Sequence, residues 1–224
     1  MGTGNPAHLS RGRSPFADRH DPQRARPRDD RHAGLAVRDR ARREPTSGVE
    51  VPTQLILRQL RHDIWATERL IEHVRRLSSQ QLQLTVPGTY GSIHKTLLHI
   101  VAANERYLRR FLPMDPVIDE DRTPNASLDD IVAHLRKVKD AVEKLFAGEH
   151  VDPDAVIRDN RRRNPADPPL LITSWVLLNQ FVHHGSDHRA QIGTILGANG
   201  LPTADIDVWA YGRELDAVKE ERTS

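Results

Sequence analysis

The feature that most constrains this chain is a repeated period. In four stretches of twenty or more residues, apolar side chains return every third or fourth position, and Pro- or Gly-marked connections separate the stretches. The first predicted helix runs from Thr53, its N-cap with Pro52 before it, to Leu77, with Leu57, Leu60, Ile64, Ile71 and Val74 on one face. After a predicted loop over 78–91, the second starts at the N-cap Ser92 and ends at Leu112, where Pro113 stops it. Its apolar line is Ile93, Leu97, Ile100 or Val101, Leu108 and Phe111. The third opens on Ser127 and Asp130, a capping-box-like pair with Asp in place of Glu. It carries Leu128, Ile131, Leu135, Val138, Val142 and Leu145 to about Phe146. The fourth is predicted from about Leu170 to Leu196, ahead of Gly197 and Gly200, and a short fifth from about Ala204 to Leu215. Strand signals reduce to one short extended piece, Val151 to Ile157, inside a 149–169 connection long enough to cross a bundle. The expected fold is all-α: a four-helix bundle with a short C-terminal helix.

The 224 residues divide into an expected disordered Arg/Pro-rich extension (1–50), the bundle (51–215) and a C-terminal tail (216–224). Residues 1–50 hold eleven Arg against seven Asp and Glu, a net +4 that leaves −2 on the remainder. For this segment a true start at Val49 or Val51 is favoured over a native basic tail or a fusion remnant. No basic face stands out on the folded part, which argues against nucleic acid as a partner. No apolar run approaches the roughly 18 residues that a bilayer span requires. The N-terminus lacks the apolar region of a secretory signal, and Asp18, Asp21, Asp29 and Asp30 argue against a transit peptide. Cysteine is absent, which excludes disulfides, thiolate zinc sites and a cysteine nucleophile, and fits a cytoplasmic location. A metal site here is limited to His, Asp, Glu, backbone and water.

The fourth predicted helix contains His183-His184-Gly185-Ser186-Asp187-His188. His184 and His188 stand one turn apart, so both imidazoles leave the same face and can bind one ion. His183 is turned about 100° away. The face continues through Leu177, Gln180, Gln191 and Ile195, and four polar side chains in a row need partners if buried. A third ligand must come from another helix. His99, within Leu97-Leu98-His99-Ile100-Val101 and followed by Ala102 and Ala103, is the candidate, with His94 as a weaker alternative. Three His ligands leave a position open for water or substrate, the pattern of a catalytic site. Imidazole suits zinc, nickel, copper or iron, with zinc as the first expectation and nickel an alternative. Gly185 stands where a zincin motif would have its Glu base. Asp187 points to a different face, to hold a neighbouring helix or orient a ligand. Glu105, about 120° around from His99, is read as a structural ion pair. The competing reading of all three histidines is a polar core cluster.

Three segments resemble one family in order and spacing. The stretch Ser92 to Leu108, the motif His184-Gly185-Ser186-Asp187-His188-Arg189-Ala190-Gln191-Ile192-Gly193, and the ending Gly200-Leu201-Pro202 with Asp205 to Tyr211 are similar to the DinB/YfiT-like four-helix metalloproteins. Ala190 departs from the Gly usual before the Gln. The resemblance covers about residues 52–215. It implies an up-down-down-up bundle and a metal held by His99, His184 and His188. It also implies an activity class: transferases that use a low-molecular-weight thiol, mycothiol or bacillithiol, as co-substrate on small electrophiles. Tyr90, Tyr107, Trp65 and Arg189 are candidate neighbours of the site. Two alternatives stay open, a metal-dependent hydrolase and a non-enzymatic ligand-binding or stress-response module. A small-molecule substrate is expected, no membrane partner is, and a homodimer is compatible with a bundle.

Overall fold

The computed structural model describes residues 50–114, 117–147, 151–160 and 166–221. The expected extension over 1–50, and with it the question of its order, lies outside these residues but for the backbone of Glu50. Six helices and a hairpin follow in chain order: α1 (Glu50–Val74), α2 (Ser79–Leu82), α3 (Ile93–Leu108), α4 (Leu128–Ala147), β1 (Val156–Asp159), β2 (Leu170–Thr173), α5 (Ser174–Ala198) and α6 (Val208–Glu214). The four long helices are the predicted bundle. α1 packs against α4 and α5, and α3 packs against the same two, so α1 and α3 lie across the diagonal. The predicted stripes face inward: Leu57, Leu60, Ile64, Ile71 and Val74 of α1 are buried, as are Ile93, Leu97, Ile100, Val101 and Leu108 of α3 and Ile131, Leu135, Val138 and Val142 of α4. Burying side chains of this size contributes about 1.5–3 kcal/mol each, which is what holds four helices in one body.

Several boundaries differ from the sequence reading, each for a local reason. α1 begins at Glu50, so Thr53 lies inside the helix and is not its N-cap. Pro52 is tolerated there because a first-turn N–H has no intrahelical acceptor to lose. The 78–91 segment is not all loop. Ser78 accepts from the Gln81 N–H at 3.2 Å while Gln81 Oε1 accepts from the Ser78 N–H at 2.9 Å, a capping box that starts the one-turn α2. Ser92 and Ser127 cap α3 and α4 as expected.

The largest correction concerns residues 170–173. They were expected to open the last long helix, yet they form β2, antiparallel to β1, with Val156 opposite Thr173 and Asp159 opposite Leu170. The extended piece expected at Val151 to Ile157 is thus shifted, with β1 beginning at Val156. A run such as Leu170-Leu171-Ile172-Thr173 satisfies either period, and strand pairing decided it. The hairpin then does the work of a cap. Thr173 makes no side-chain capping bond, and the first α5 donors, Ser174 N–H and Trp175 N–H, are accepted by Ala155 O at 2.9 Å and Pro153 O at 3.0 Å. After α5 the chain turns at Gly200, whose φ of 67° is open to glycine without strain. Asp207 caps α6, and Tyr211 packs on Trp65 and His62 of α1.

Candidate metal centre

His99 on α3 and His184 and His188 on α5 come together, each half-buried. One nitrogen from each lies within 4.8 Å of the others. His99 Nε2 and His184 Nε2 are 3.0 Å apart, and the three ring centroids are separated by 4.4 to 4.8 Å. The helical spacing accounts for the pair from α5, and the position of His99 amid an apolar stretch carries it inward against them.

The remaining ring nitrogens fix the tautomers. Glu120 Oε2 lies 2.7 Å from His99 Nδ1, so that nitrogen carries the proton and Nε2 keeps its lone pair. His188 Nδ1 lies 3.3 Å from Gln191 Oε1. The identity of that oxygen is set independently: it also accepts the Tyr90 backbone N–H at 2.8 Å, which only an acceptor can do. His188 therefore donates from Nδ1 and leaves its Nε2 lone pair free. His184 Nδ1 is buried and lacks a hydrogen-bond partner. Without a cation, the close Nε2 pair of His99 and His184 is satisfied by a single shared proton. Lone pairs converging from rings whose far nitrogens are pinned by a carboxylate and an amide make the arrangement that ligating histidines adopt. Metal–nitrogen bonds of about 2.0–2.1 Å at tetrahedral angles place two ligand nitrogens about 3.3 Å apart; the His99–His184 pair, at 3.0 Å, is close to that spacing, and all three nitrogens lie within 4.8 Å. The donor set could hold a metal ion.

Electrostatics point the same way. Burial, reinforced by His188 and His99, brings the His184 pKa down to about 4, and burial followed by His99 lowers that of His188. Both rings are neutral, hence able to ligate, at pH 7. Burial alone would raise the Glu120 carboxyl, but bonds from His99 and Arg106 outweigh it and hold the pKa at about 2. Arg106 donates to Glu120 Oε1 at 2.8 Å and the Tyr90 hydroxyl donates to Oε2 at 3.2 Å.

Of the candidate neighbours, Tyr90 stacks on His99 at 4.0 Å and meets His188 edge-on at 5.1 Å, and Tyr107 meets His184 edge-on at 5.8 Å. Trp65 and Arg189 are elsewhere: Trp65 packs with His62 and Tyr211, and Arg189 pairs with Asp63 of α1 at 2.6 Å. His94 bonds Ala126 O at 2.7 Å and stays out of the cluster. His183, Gln180 and Asp187 face solvent, so Asp187 holds no neighbouring helix. Glu105 is fully buried, accepts the Ile118 N–H at 2.6 Å and lies 2.7 Å from His134 Nδ1. Its structural role is specific: it ties down the 117–120 segment that delivers Glu120. Sequence reasoning missed Glu120 because a carboxylate in an aperiodic connection stands at no fixed offset from the histidine it meets. A cleft of about 580 Å³ is lined by Tyr90 and Glu120, which contact the cluster, and by Lys95, Arg106, Asp121 and Asn125, but by none of the three histidines.

Among the described residues no helix is long and apolar enough to cross a membrane. Comparison with curated proteins finds no match. The model of the DinB family matches residues 52–221.

Proposed function

The chain belongs to the DinB family, and on that premise we propose that His99, His184 and His188 hold one divalent metal ion in a transferase that passes a low-molecular-weight thiol to small electrophiles. The observation that carries this reading is the convergence of three imidazole rings, two of which, His99 and His188, have their opposite nitrogens held by Glu120 and Gln191. A bound divalent cation supplies positive charge that keeps a thiol as thiolate at neutral pH. The chain's own residues do the rest. Glu120 and Gln191 orient the rings. Tyr90 and Tyr107 wall the site and limit water. The cleft behind Tyr90, with an ammonium, a guanidinium, carboxylates and an amide on its lining, receives the polar body of the thiol. Zinc is the favoured ion and nickel the alternative; mycothiol or bacillithiol is the favoured thiol class, in a cytoplasmic setting.

Hydrolysis is the less favoured chemistry. The carboxylate that contacts the cluster, Glu120, accepts from Tyr90 and from His99 and Arg106, which hold its pKa at about 2, so it is a poor general base. The deciding experiment is thiol consumption with a panel of electrophiles by the zinc- or nickel-loaded protein. The expected result is turnover that requires thiol and disappears in His188→Ala. Equal rates in the two proteins, or turnover without thiol, would overturn the reading.

A further inference from the structure

α5 presents two faces to two helices. His184 and His188 face α3. One position on, about 100° around the helix, Gly185 and Arg189 face α1, and there both meet Asp63. Arg189 Nη1 lies 2.6 Å from Asp63 Oδ1, 3.2 Å from Asp63 O and 3.0 Å from the Thr67 hydroxyl. The Asp63 and Arg189 side chains are 0% and 5% exposed. Gly185 lies against the same carboxylate. A Cβ there would fall 2.8 Å from Asp63 Oδ2 and from Arg189 Nη1, and closer still to Oδ1.

The level at which this contact occurs is what gives it meaning. The buried residues of α5 are Ser174, Leu177, Leu178, Phe181, Gly185, Arg189, Ile192, Ile195 and Leu196. Between Phe181 and Ile192, over the turns that carry the two histidines, apolar packing is therefore replaced by Gly185 and Arg189. On those turns the fully buried positions are Gly185 and Arg189, and Val182 packs only partly against the core. The sensitivity is high, because a rotation of about 20° moves a group at the helix's outer radius of 5–6 Å by about 2 Å. That is as long as a metal–nitrogen bond of about 2.0–2.1 Å.

We propose that Asp63 is a positioning residue for the metal centre: by keying Gly185 and Arg189 it fixes the rotation of α5 and so aims His184 and His188 at His99. The inference rests on the metal reading only for its second measurement. The test compares wild type with Gly185→Ala and with the double variant Asp63→Leu/Arg189→Met. Replacing a buried ion pair by apolar residues of similar volume is often neutral or stabilising, so the double variant separates aim from stability. The first measurement is the ring-proton NOE between His99 and His184 in metal-free protein, whose ring centroids are 4.8 Å apart. The second is the zinc dissociation constant by chelator competition. Far-UV circular dichroism and the melting midpoint serve as folding controls. The expected result is a folded double variant in which the NOE is lost and zinc binding is at least about tenfold weaker. A folded variant with the NOE and zinc affinity of wild type overturns the proposal, as do two variants that both unfold, since the bundle should stand without the key. Loss of the NOE in the variants, beside a wild type that takes up neither zinc nor nickel, would uphold the positioning role and remove the metal reading instead.

Discussion

α4 and α5 are both long bundle helices, and they are built on opposite terms. Every buried residue of α4 is apolar: Ile131, Val132, Leu135, Val138, Ala141 and Val142. α5 buries an arginine and a glycine in its middle turns and holds two half-buried histidines beside them. α4 is stabilised by what it removes from water. α5 gives up that term over two turns and replaces it with directional contacts, an ion pair to α1 and an imidazole cluster toward α3. A helix of the first kind tolerates a change of aim, because apolar contact has little direction. A helix of the second kind does not, since hydrogen bonds and ligand bonds fail within a fraction of an ångström to one ångström.

The largest expected effect lies at the ion pair. Arg189→Ala leaves the Asp63 carboxylate buried and alone, and should cost about 3–5 kcal/mol in urea unfolding. Leu135→Ala in α4 should cost about 2–5 kcal/mol while leaving zinc affinity unchanged. If the α4 variant weakens zinc as strongly as stability, the division of labour between the helices is wrong. Next in size is Glu120→Gln, which should lower zinc affinity by about 10–100-fold in a calorimetric titration, the usual consequence of losing the carboxylate behind a ligating imidazole. A third effect is pH dependence. His184, with a folded pKa of about 4 against an ordinary 6.5, stays neutral while the unfolded chain takes up its proton. The unfolded state then binds more protons, so the stability of metal-free protein should fall as pH drops from about 6.5 to about 4. The slope should flatten in His184→Leu. Zinc affinity should decline over the acid side of the same range, because protons compete for the ligands. The smallest expected effect is on stability in His184→Leu itself. Removing a buried ring nitrogen that lacks a partner offsets the loss of the Nε2 contact with His99, so the metal-free protein should stay within about 1 kcal/mol of wild type at neutral pH.

The same contrast explains what could be read from the sequence. α4 was legible almost to the residue, from Ser127 and Asp130 at its start to the end of its apolar stripe at Leu145. The His184–His188 pair and His99 were legible because helical spacing and a polar residue in an apolar run are local signals. The start of α5 was not, since Leu170 to Thr173 suit strand and helix alike and the pairing with β1 is a long-range event. Glu120 and the orienting role of Gln191 were hidden for the same reason: each is placed by contacts from other parts of the chain, Glu105 with Ile118 in one case and the Tyr90 backbone in the other. Asp63 did leave a trace. Asp63 and Thr67, one turn apart, interrupt the buried face of α1 between Leu60 and Ile71, and a charged residue inside an apolar stripe implies a buried partner.

The most direct test of the central claim is the zinc and nickel content of protein prepared without chelators, by elemental analysis, for wild type and His184→Ala side by side. The account predicts close to one ion per chain in wild type and its loss in a folded variant. A wild type that stays empty when both metals are supplied, or a folded variant that keeps its ion, would contradict it and return His99, His184 and His188 to the status of a polar cluster in the core.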